Sequence, residues 1–451
     1  MKTLDQIAAE LQGYDPQALR ADDVLRFLKK LVTPVQAAHD APLFEALGRV
    51  LACDVIAPFD VPPHDNSAMD GYAFAGQQLT AAPLRLQVIG CAFAGKAWQG
   101  KAAAGQCVKI MTGAVMPVGL DTVVPQEMVT AEGDNITIPA QLVKPGDNRR
   151  HRGEDLMQGK PALLKGELLT PAKLGLAASL GLKTVSCYRQ LRVAYFSTGD
   201  EILSLGEPPR EGAVYDSNRF VMFGLLTRLG CQMIDMGVVR DEPAALEAAF
   251  RQAAAQADAI ITSGGVSVGE ADHTKAMMKK LGDVAFWRIA MRPGRPMAVG
   301  RIEKPRSEPF LGTILDASPD NIWASSYQNS STLDPCILFG LPGNPVAVMV
   351  TFLAFVRPAL LQMMGASQVN QPLLKATSME AMRKKPGRTE FQRGWVSTAA
   401  DGTLEVKTTG NQGSGVLSSM AQANGLIVLH HAQGNVSAGE SIDVLMFDGA
   451  V

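Results

Sequence analysis

The sequence predicts a multi-domain α/β plus β protein: a doubly wound α/β domain joined to a small β module and to a C-terminal β-barrel or sandwich. Three observations carry this. From Leu191 onward, short apolar runs alternate with amphipathic stretches, the rhythm of βαβ units. Residues 70–150 and those beyond about 364 carry short apolar runs separated by Gly and Pro, the pattern of small strands and turns. The length, 451 residues, accommodates two to four domains at ~100–200 residues each. Hydrophobic residues make up 47% and charged residues 19%, enough to bury sizeable cores. Basic residues number 42 against 44 acidic, a formal charge of −2. This lacks the basic footprint of a nucleic-acid binder.

The elements follow in order. Leu19, Val24, Leu25, Leu28 and Leu31 recur at helical spacing and predict a helix within 17–31. A second helix is expected over 38–52. Pro58, Pro62 and Pro63 then force extended chain. Runs at 84–89, 107–111, 122–125 and 135–139 form the β module. Residues 145–166 read as connection, and 171–182 as a helix with Pro171 in its first turn. Strands are then predicted at 191–197, 231–239, 258–262 and 336–340, each followed by a helix, at 217–229, 242–257, 271–281 and 345–363. Residues 284–302 read as two strands joined by the turn Pro293-Gly294. Residues 303–335, rich in Ser, Pro, Asp and Asn, read as a long surface loop. Strands at 391–397, 404–408, 425–430 and 441–447 complete the C-terminal module.

Several function classes lose support. The six cysteines contain no CxxC pair and suit a reducing compartment. No HExxH, GxSxG, GxxxxGK[ST] or post-strand GxGxxG occurs. The N-terminus MKTLDQIAAE lacks the apolar core of a signal peptide. The uncharged run 335–356 is interrupted by Pro342, Gly343 and Pro345, which make it a strand–turn–helix passage rather than a membrane span. A cytoplasmic protein with no membrane partner is expected.

Ligands of open α/β sheets bind at the carboxyl ends of the strands. Four predicted ends carry Thr198-Gly199-Asp200-Glu201, Arg240-Asp241, Ser263-Gly264-Gly265 continuing to Asp272, and Leu341-Pro342-Gly343-Asn344-Pro345. The glycine loop suits a phosphate, because glycines admit close approach and helix-start amides attract anions. Ser263, Ser267 and Thr274 add hydroxyls. The same loop serves equally as a ligand-free tight turn. Asp200, Glu201, Asp241 and Asp272 repel phosphate unless a cation stands between, and Mg²⁺ shared by carboxylates and substrate phosphates resolves that conflict. Asp is also a common helix N-cap, a second reading for Asp272. Arg288 and Arg292 supply positive charge beside the sheet edge, or a solvated hairpin face.

NSAMDGYA (66–73), MTGA (111–114), GED (153–155), STGDE (197–201), SGG through ADHTK (263–275), RPGRP (292–296) and LPGNPV (341–346) stand in the order found in the MoeA family. The chain resembles these molybdopterin molybdenumtransferases, and the E domain of gephyrin, from about residue 17 to the end. The resemblance implies an elongated discontinuous domain (1–60 and 150–188), a small β module (61–149), an α/β pterin-binding domain (189–364, with the 303–335 insert) and a C-terminal β-barrel (365–451). It implies insertion of molybdate into adenylylated molybdopterin, with Mg²⁺-dependent cleavage of the pyrophosphate bond and release of AMP. It implies a homodimer whose active sites combine the α/β domain of one subunit with the β module of the other. By motif, Asp70, Thr112, Asp155, Glu201, Asp241 and Asp272 carry over as catalytic positions, the last three as metal ligands. Ser263, Gly264, Gly265, Arg288, Arg292, Pro342, Pro345 and Ser418, or its neighbour Ser419, carry over as substrate-binding. Arg288 and Arg292 fall where the family often has lysine. The insert departs from the family's short turn. The alternatives are a molybdopterin adenylyltransferase, which is also a candidate hand-off partner, and a non-catalytic pterin-binding scaffold.

Overall fold

The computed structural model describes residues 2–266, 273–304 and 334–447. The predicted insert falls almost wholly outside the described residues, as do Ser267 and Asp272. The chain divides into two compact units. One comprises residues 1–52, 166–171 and 186–451; the other comprises residues 53–165 and 172–185.

The second unit contains a six-stranded sheet, in the order Thr122–Pro125, Gly71–Phe74, Gln106–Ile110, Leu84–Ala92, Asn135–Ile138 and Thr130–Glu132. Four of these strands coincide closely with the apolar runs read from the sequence; Gly71–Phe74 and Thr130–Glu132 were not foreseen. Phe74, Cys107, Val124 and Ile136 pack on one face, and Ala73, Val108, Ile110 and Val123 on the other. Period-2 alternation between two buried faces explains why these runs are continuously apolar.

The first unit is built on a second six-stranded sheet, ordered Gln232–Val239, Arg192–Thr198, Ala259–Ser263, Cys336–Leu341, Pro296–Ile302 and Gly282–Arg288. The first four strands run parallel. The last two form an antiparallel hairpin on the edge. Register sets Thr198 level with Val239, and Ser263 level with both Ser197 and Leu341. Four carboxyl ends therefore finish at one height. Helices Ser217–Arg228, Pro243–Gln256 and His273–Leu281 follow their strands as expected.

The apolar run Pro345–Met363 is a helix long enough to cross a membrane. Val346, Val348, Val350, Phe352, Phe355 and Leu360 bury it in the core of this unit. It passes through a π-helical turn at Phe352–Val356. Pro358 lacks an N–H, and its ring would meet the carbonyl four residues earlier; the wider turn accommodates both effects.

The chain after 373 closes into a barrel of five strands. Thr389–Thr398 pairs with both Leu404–Thr408 and Gly425–Leu429, and Leu374–Ser378 and Ser441–Met446 complete the ring. Val396, Val406, Ile427 and Val444 fill it. This settles barrel against sandwich. The strand Leu374–Ser378 and the helix Leu417–Gln422 were not foreseen. The short strand Met291–Arg292, inside the hairpin turn, pairs with Thr389–Glu390 of the barrel.

The stretch read as connection, 145–166, contains the short strands Arg149–Arg150 and Pro161–Leu163, paired with Asn66–Ser67 and Val55–Ile56. A second expectation fails outright. Residues 38–52 are not a helix but a strand, Ala38–Pro42, followed by a 3₁₀ turn, Leu43–Glu45. Pro42 cannot sit inside a helix and drives its predecessor to extended backbone. Gly48, at φ +72°, then turns the chain away.

Asp258 stands at the amino edge of the parallel strands. It accepts a fork from Arg189 (2.7 and 2.6 Å) and the backbone N–H of Arg192 (2.9 Å). Burial pushes its pKa up, but the Arg189 fork and the Arg192 amide outweigh that and hold it below the usual carboxylate range. A carboxylate with a depressed folded pKa stabilises above its unfolded pKa and loses that stabilisation as pH falls through the folded one. Asp258→Asn is expected to cost about 3 kcal/mol at pH 7 by stranding a half-buried guanidinium. In urea melts the gap to wild type should close progressively below about pH 4. A gap constant down to pH 3 would contradict this account.

Candidate active site

Over the level strand ends lies a cleft of about 780 Å³. Its floor is the glycine turn after Ala259–Ser263. Gly264 and Gly265 have φ of +91° and +65°. A Cβ on Gly264 would meet the Thr198 carbonyl at 2.4 Å, and one on Gly265 would meet Thr274 at 2.5 Å. Both positions therefore require glycine. The Gly264 amide donates to the Leu341 carbonyl (3.1 Å), tying the third strand end to the fourth.

Glu201 and Asp241 both line the cleft. Asp241 Oδ1 accepts from the Thr274 hydroxyl (3.1 Å). The Glu201 carboxylate lies against Gly199, where a Cβ would come within 2.7 Å of it. No cationic side chain pairs with either acid among the described residues. Opposite charge comes from Arg292 and Arg295, carried with Pro293, Gly294 and Pro296 along the hairpin arm. Pro342, Gly343 and Asn344 form a further wall, and Gln412, Gly413 and Ser414 arrive from the barrel. Asn344 Nδ2 donates to Ser414 Oγ (3.0 Å), and the Val346 amide donates to the Ser414 carbonyl (3.2 Å).

The barrel loop rests on Arg393, which is 1% exposed. Its guanidinium donates to the carbonyls of Asn411 (3.0 Å) and Gly413 (2.9 Å) and to Ser419 Oγ (3.1 Å). Among the described residues no carboxylate pairs with it. Burial, with a smaller repulsion from Arg292, pushes its pKa down to about 10, so it remains cationic at neutral pH. Arg292, Arg383 and Arg393, with Glu380 and the Arg388-paired Glu390, line a smaller cavity of about 280 Å³, which shares Arg292, Pro293 and Gln412 with the cleft.

The structure thus gathers Glu201, Asp241, Gly264, Gly265, Arg292 and Pro342 around one cleft. Ser263 is placed elsewhere: its hydroxyl lies beneath the floor, bonded to Tyr195 (2.7 Å) and Ser197 (3.1 Å). Arg288 is exposed and does not line the cleft. Pro345 begins the long helix behind the wall. Ser418 is exposed, while Ser419 is buried on Arg393. Arg393 and the loop Gln412–Ser414 escaped the sequence reading. The signal was one arginine within FQRGWV, two residues from Phe391 and so on its face of the strand.

In the second unit, Asp70 Oδ1 accepts both the Thr112 amide (2.7 Å) and the Thr112 hydroxyl (2.7 Å). These two bonds hold its pKa below the usual carboxylate range. Asp155 is exposed; its amide donates to the Val61 carbonyl (3.0 Å).

Among the described residues no group of three or more His, Cys, Asp and Glu converges to hold a metal. Glu201 and Asp241 do fit Mg²⁺ chemically. They are hard oxygen donors at a shared cleft, uncommitted to any cation, and Mg²⁺ typically takes one or two carboxylates and completes its shell with phosphates and water.

A glycine turn at the carboxyl edge of a parallel sheet, with acids on one rim and arginines on another, is an arrangement suited to anionic phosphate or oxyanion groups. Comparison with known proteins narrows the class. Residues 19–181 match the MoeA N-terminal region (domain I and II), 194–362 the "Probable molybdopterin binding domain", and 375–447 the MoeA C-terminal region (domain IV). The chain is 42% identical over 424 residues to a molybdopterin molybdenumtransferase from Haemophilus influenzae, covering 94% of this chain and 97% of that one. It is 33% identical to a molybdopterin molybdenumtransferase from Nostoc, covering 94% and 92%. The crystal structure of a molybdopterin biosynthesis MoeA protein from Pyrococcus horikoshii superposes with a TM-score of 0.76 at 26% identity, covering 96% of this chain and all of that one. The chain belongs to the MoeA family of molybdopterin molybdenumtransferases and is an enzyme of the transferase class.

Proposed function

We propose that the enzyme inserts molybdenum into molybdopterin, taking adenylylated molybdopterin and molybdate as substrates. Water attacks the P–O–P anhydride joining the pterin phosphate to AMP, so AMP departs with its own phosphate and the pterin keeps the other; the two dithiolene sulfurs bind molybdenum as one oxo group of molybdate leaves as water with their two protons. The observation that carries this reading is the cleft's two-sided charge. Glu201 and Asp241 stand at one rim, while Arg292 leads into the cavity it shares with Arg383 and Arg393. A pure phosphate site gains nothing from uncompensated carboxylates, and a pure cation site gains nothing from three arginines.

The glycine turn offers backbone amides to the pyrophosphate. Arg292, with Arg393 behind it, suits a tetrahedral oxyanion such as molybdate. Glu201 and Asp241 would hold Mg²⁺, together with Asp272; when bound, the ion neutralises charge on the pyrophosphate. Pro342 and Pro345 stiffen the wall facing the metal-transfer step. Asp70, Thr112 and Asp155 act from the N-terminal half, and the enzyme works as a cytoplasmic homodimer. The two N-terminal domains are 61–149 and the discontinuous 1–60 with 150–188; the α/β domain is 189–364 and the barrel 365–451.

The test supplies adenylylated molybdopterin and Mg²⁺, with and without molybdate, and follows AMP release and cofactor formation. Molybdate-dependent release is expected. Tight binding without release would favour the scaffold reading, and formation of the adenylylated species from molybdopterin and ATP would favour the adenylyltransferase.

A further inference from the structure

The wall Pro342–Asn344 is held from three sides. The Gly264 amide grips the Leu341 carbonyl, and Ser414 of the barrel loop grips Asn344 and Val346. The third hold comes from the helix Ser217–Arg228, which otherwise has no part in the site. Its N-cap, Asp216, caps conventionally through the Arg219 amide (3.1 Å). Asn218, two residues on, reaches outward: its Nδ2 donates to the Gly343 carbonyl at 2.7 Å. Gly343 is a cleft-lining residue, and its Cβ position lies 3.9 Å from Gly264 Cα, so the wall backs directly onto the glycine turn.

Asn218 is 7% exposed, and its Oδ1 is buried without a partner among the described residues. An orphaned buried acceptor is a cost that alanine or valine would avoid. The residue does not line the cleft and makes no other side-chain hydrogen bond among the described residues. What the amide adds is one donor, aimed at one carbonyl of the cleft wall.

We propose that Asn218 is a positioning residue for the transferase reaction. Through the Gly343 carbonyl it fixes the spacing between the Pro342–Asn344 wall and the Gly264–Gly265 floor. This rests on the function proposed above. Reacting groups held between two walls lose rate steeply when one drifts, and a misplacement of about 1 Å can cost about 10²-fold.

Two variants and two measurements test it on the full-length protein. Asn218→Asp keeps the shape and replaces the donor by an acceptor; Asn218→Ala removes both. Both should lower kcat for molybdate-dependent AMP release at least about tenfold, with KM for adenylylated molybdopterin changed less than about threefold, the split expected of mispositioning rather than lost contact. A buried carboxyl has a raised pKa and donates again once protonated. The ratio of Asn218→Asp to wild-type activity should therefore rise between about pH 8 and pH 5.5, whereas that of Asn218→Ala stays flat. Hydrogen exchange, which needs no substrate, should show faster exchange confined to amides 341–346. Wild-type exchange at 341–346 in both variants, or Asn218→Ala turnover within twofold of wild type, overturns the proposal. So does a flat Asn218→Asp ratio. If Asn218→Ala fails to fold, the isosteric variant still reads both arms. If wild type itself releases no AMP with molybdate, the proposed function fails, while the exchange result still decides whether Asn218 holds the wall.

Discussion

Glu201→Gln and Asp241→Asn are each expected to cut molybdate-dependent AMP release by about 10²-fold at limiting Mg²⁺, with partial recovery as Mg²⁺ is raised. Even residues one shell removed from a metal commonly cost 10–100-fold in metal affinity when changed, so a direct ligand should cost no less. The fold should be indifferent. Neither carboxylate pairs with a cationic side chain among the described residues, and Asp241 accepts one hydroxyl that an amide oxygen can also accept. Thermal melts should stay within about 0.5 kcal/mol of wild type. AMP release measured against a Mg²⁺ titration separates the outcomes. Wild-type rates at low Mg²⁺ in both variants would remove the acidic rim from the chemistry.

Arg393→Met should produce the second large effect, on two axes at once. The methionine fills much of the space but leaves the carbonyls of Asn411 and Gly413 and the Ser419 hydroxyl without their donor. Stranding such acceptors is expected to cost about 2–4 kcal/mol in urea unfolding. Loss of one of the three arginines bordering the smaller cavity should also raise KM for molybdate at least about tenfold. Arg393→Lys should recover part of the charge effect but little of the loop anchoring, because an ammonium cannot reproduce the fork. A destabilised variant with unchanged KM for molybdate would assign Arg393 to structure alone.

Much of the architecture was legible because it is locally encoded. Alternating apolar runs and helical stripes placed the four parallel strands, and the LPGNP passage separated a core helix from a membrane span. What escaped depends on contacts between distant segments. The stretch 38–52 carries a helical stripe, but Pro42 overrules it. Ser263 was read as a ligand donor; the pleat that levels it with Ser197 directs its hydroxyl to Tyr195 instead. Arg393 belongs to a strand more than 100 residues from the glycine turn, and only barrel closure shows which loop it supports. The rule that ligands sit at strand carboxyl ends supplied Glu201 and Asp241, and the motif resemblance agreed, yet neither carried any sign of the barrel's own loop.

The two-residue ladder between Met291–Arg292 and Thr389–Glu390 has an evolutionary corollary. The arm bearing Arg292 is stitched by backbone hydrogen bonds to a strand supplied by the appended barrel. A chain that shed its last eighty or so residues would retain every strand of the parallel sheet, and Arg288 and Ala290 would still bond Pro16 and Leu19, but Arg292 itself would lose its ladder. The barrel is therefore less a passenger than a second brace, and a lineage keeping only the sheet would hold the arm's base through Leu19 but not the tip that carries Arg292.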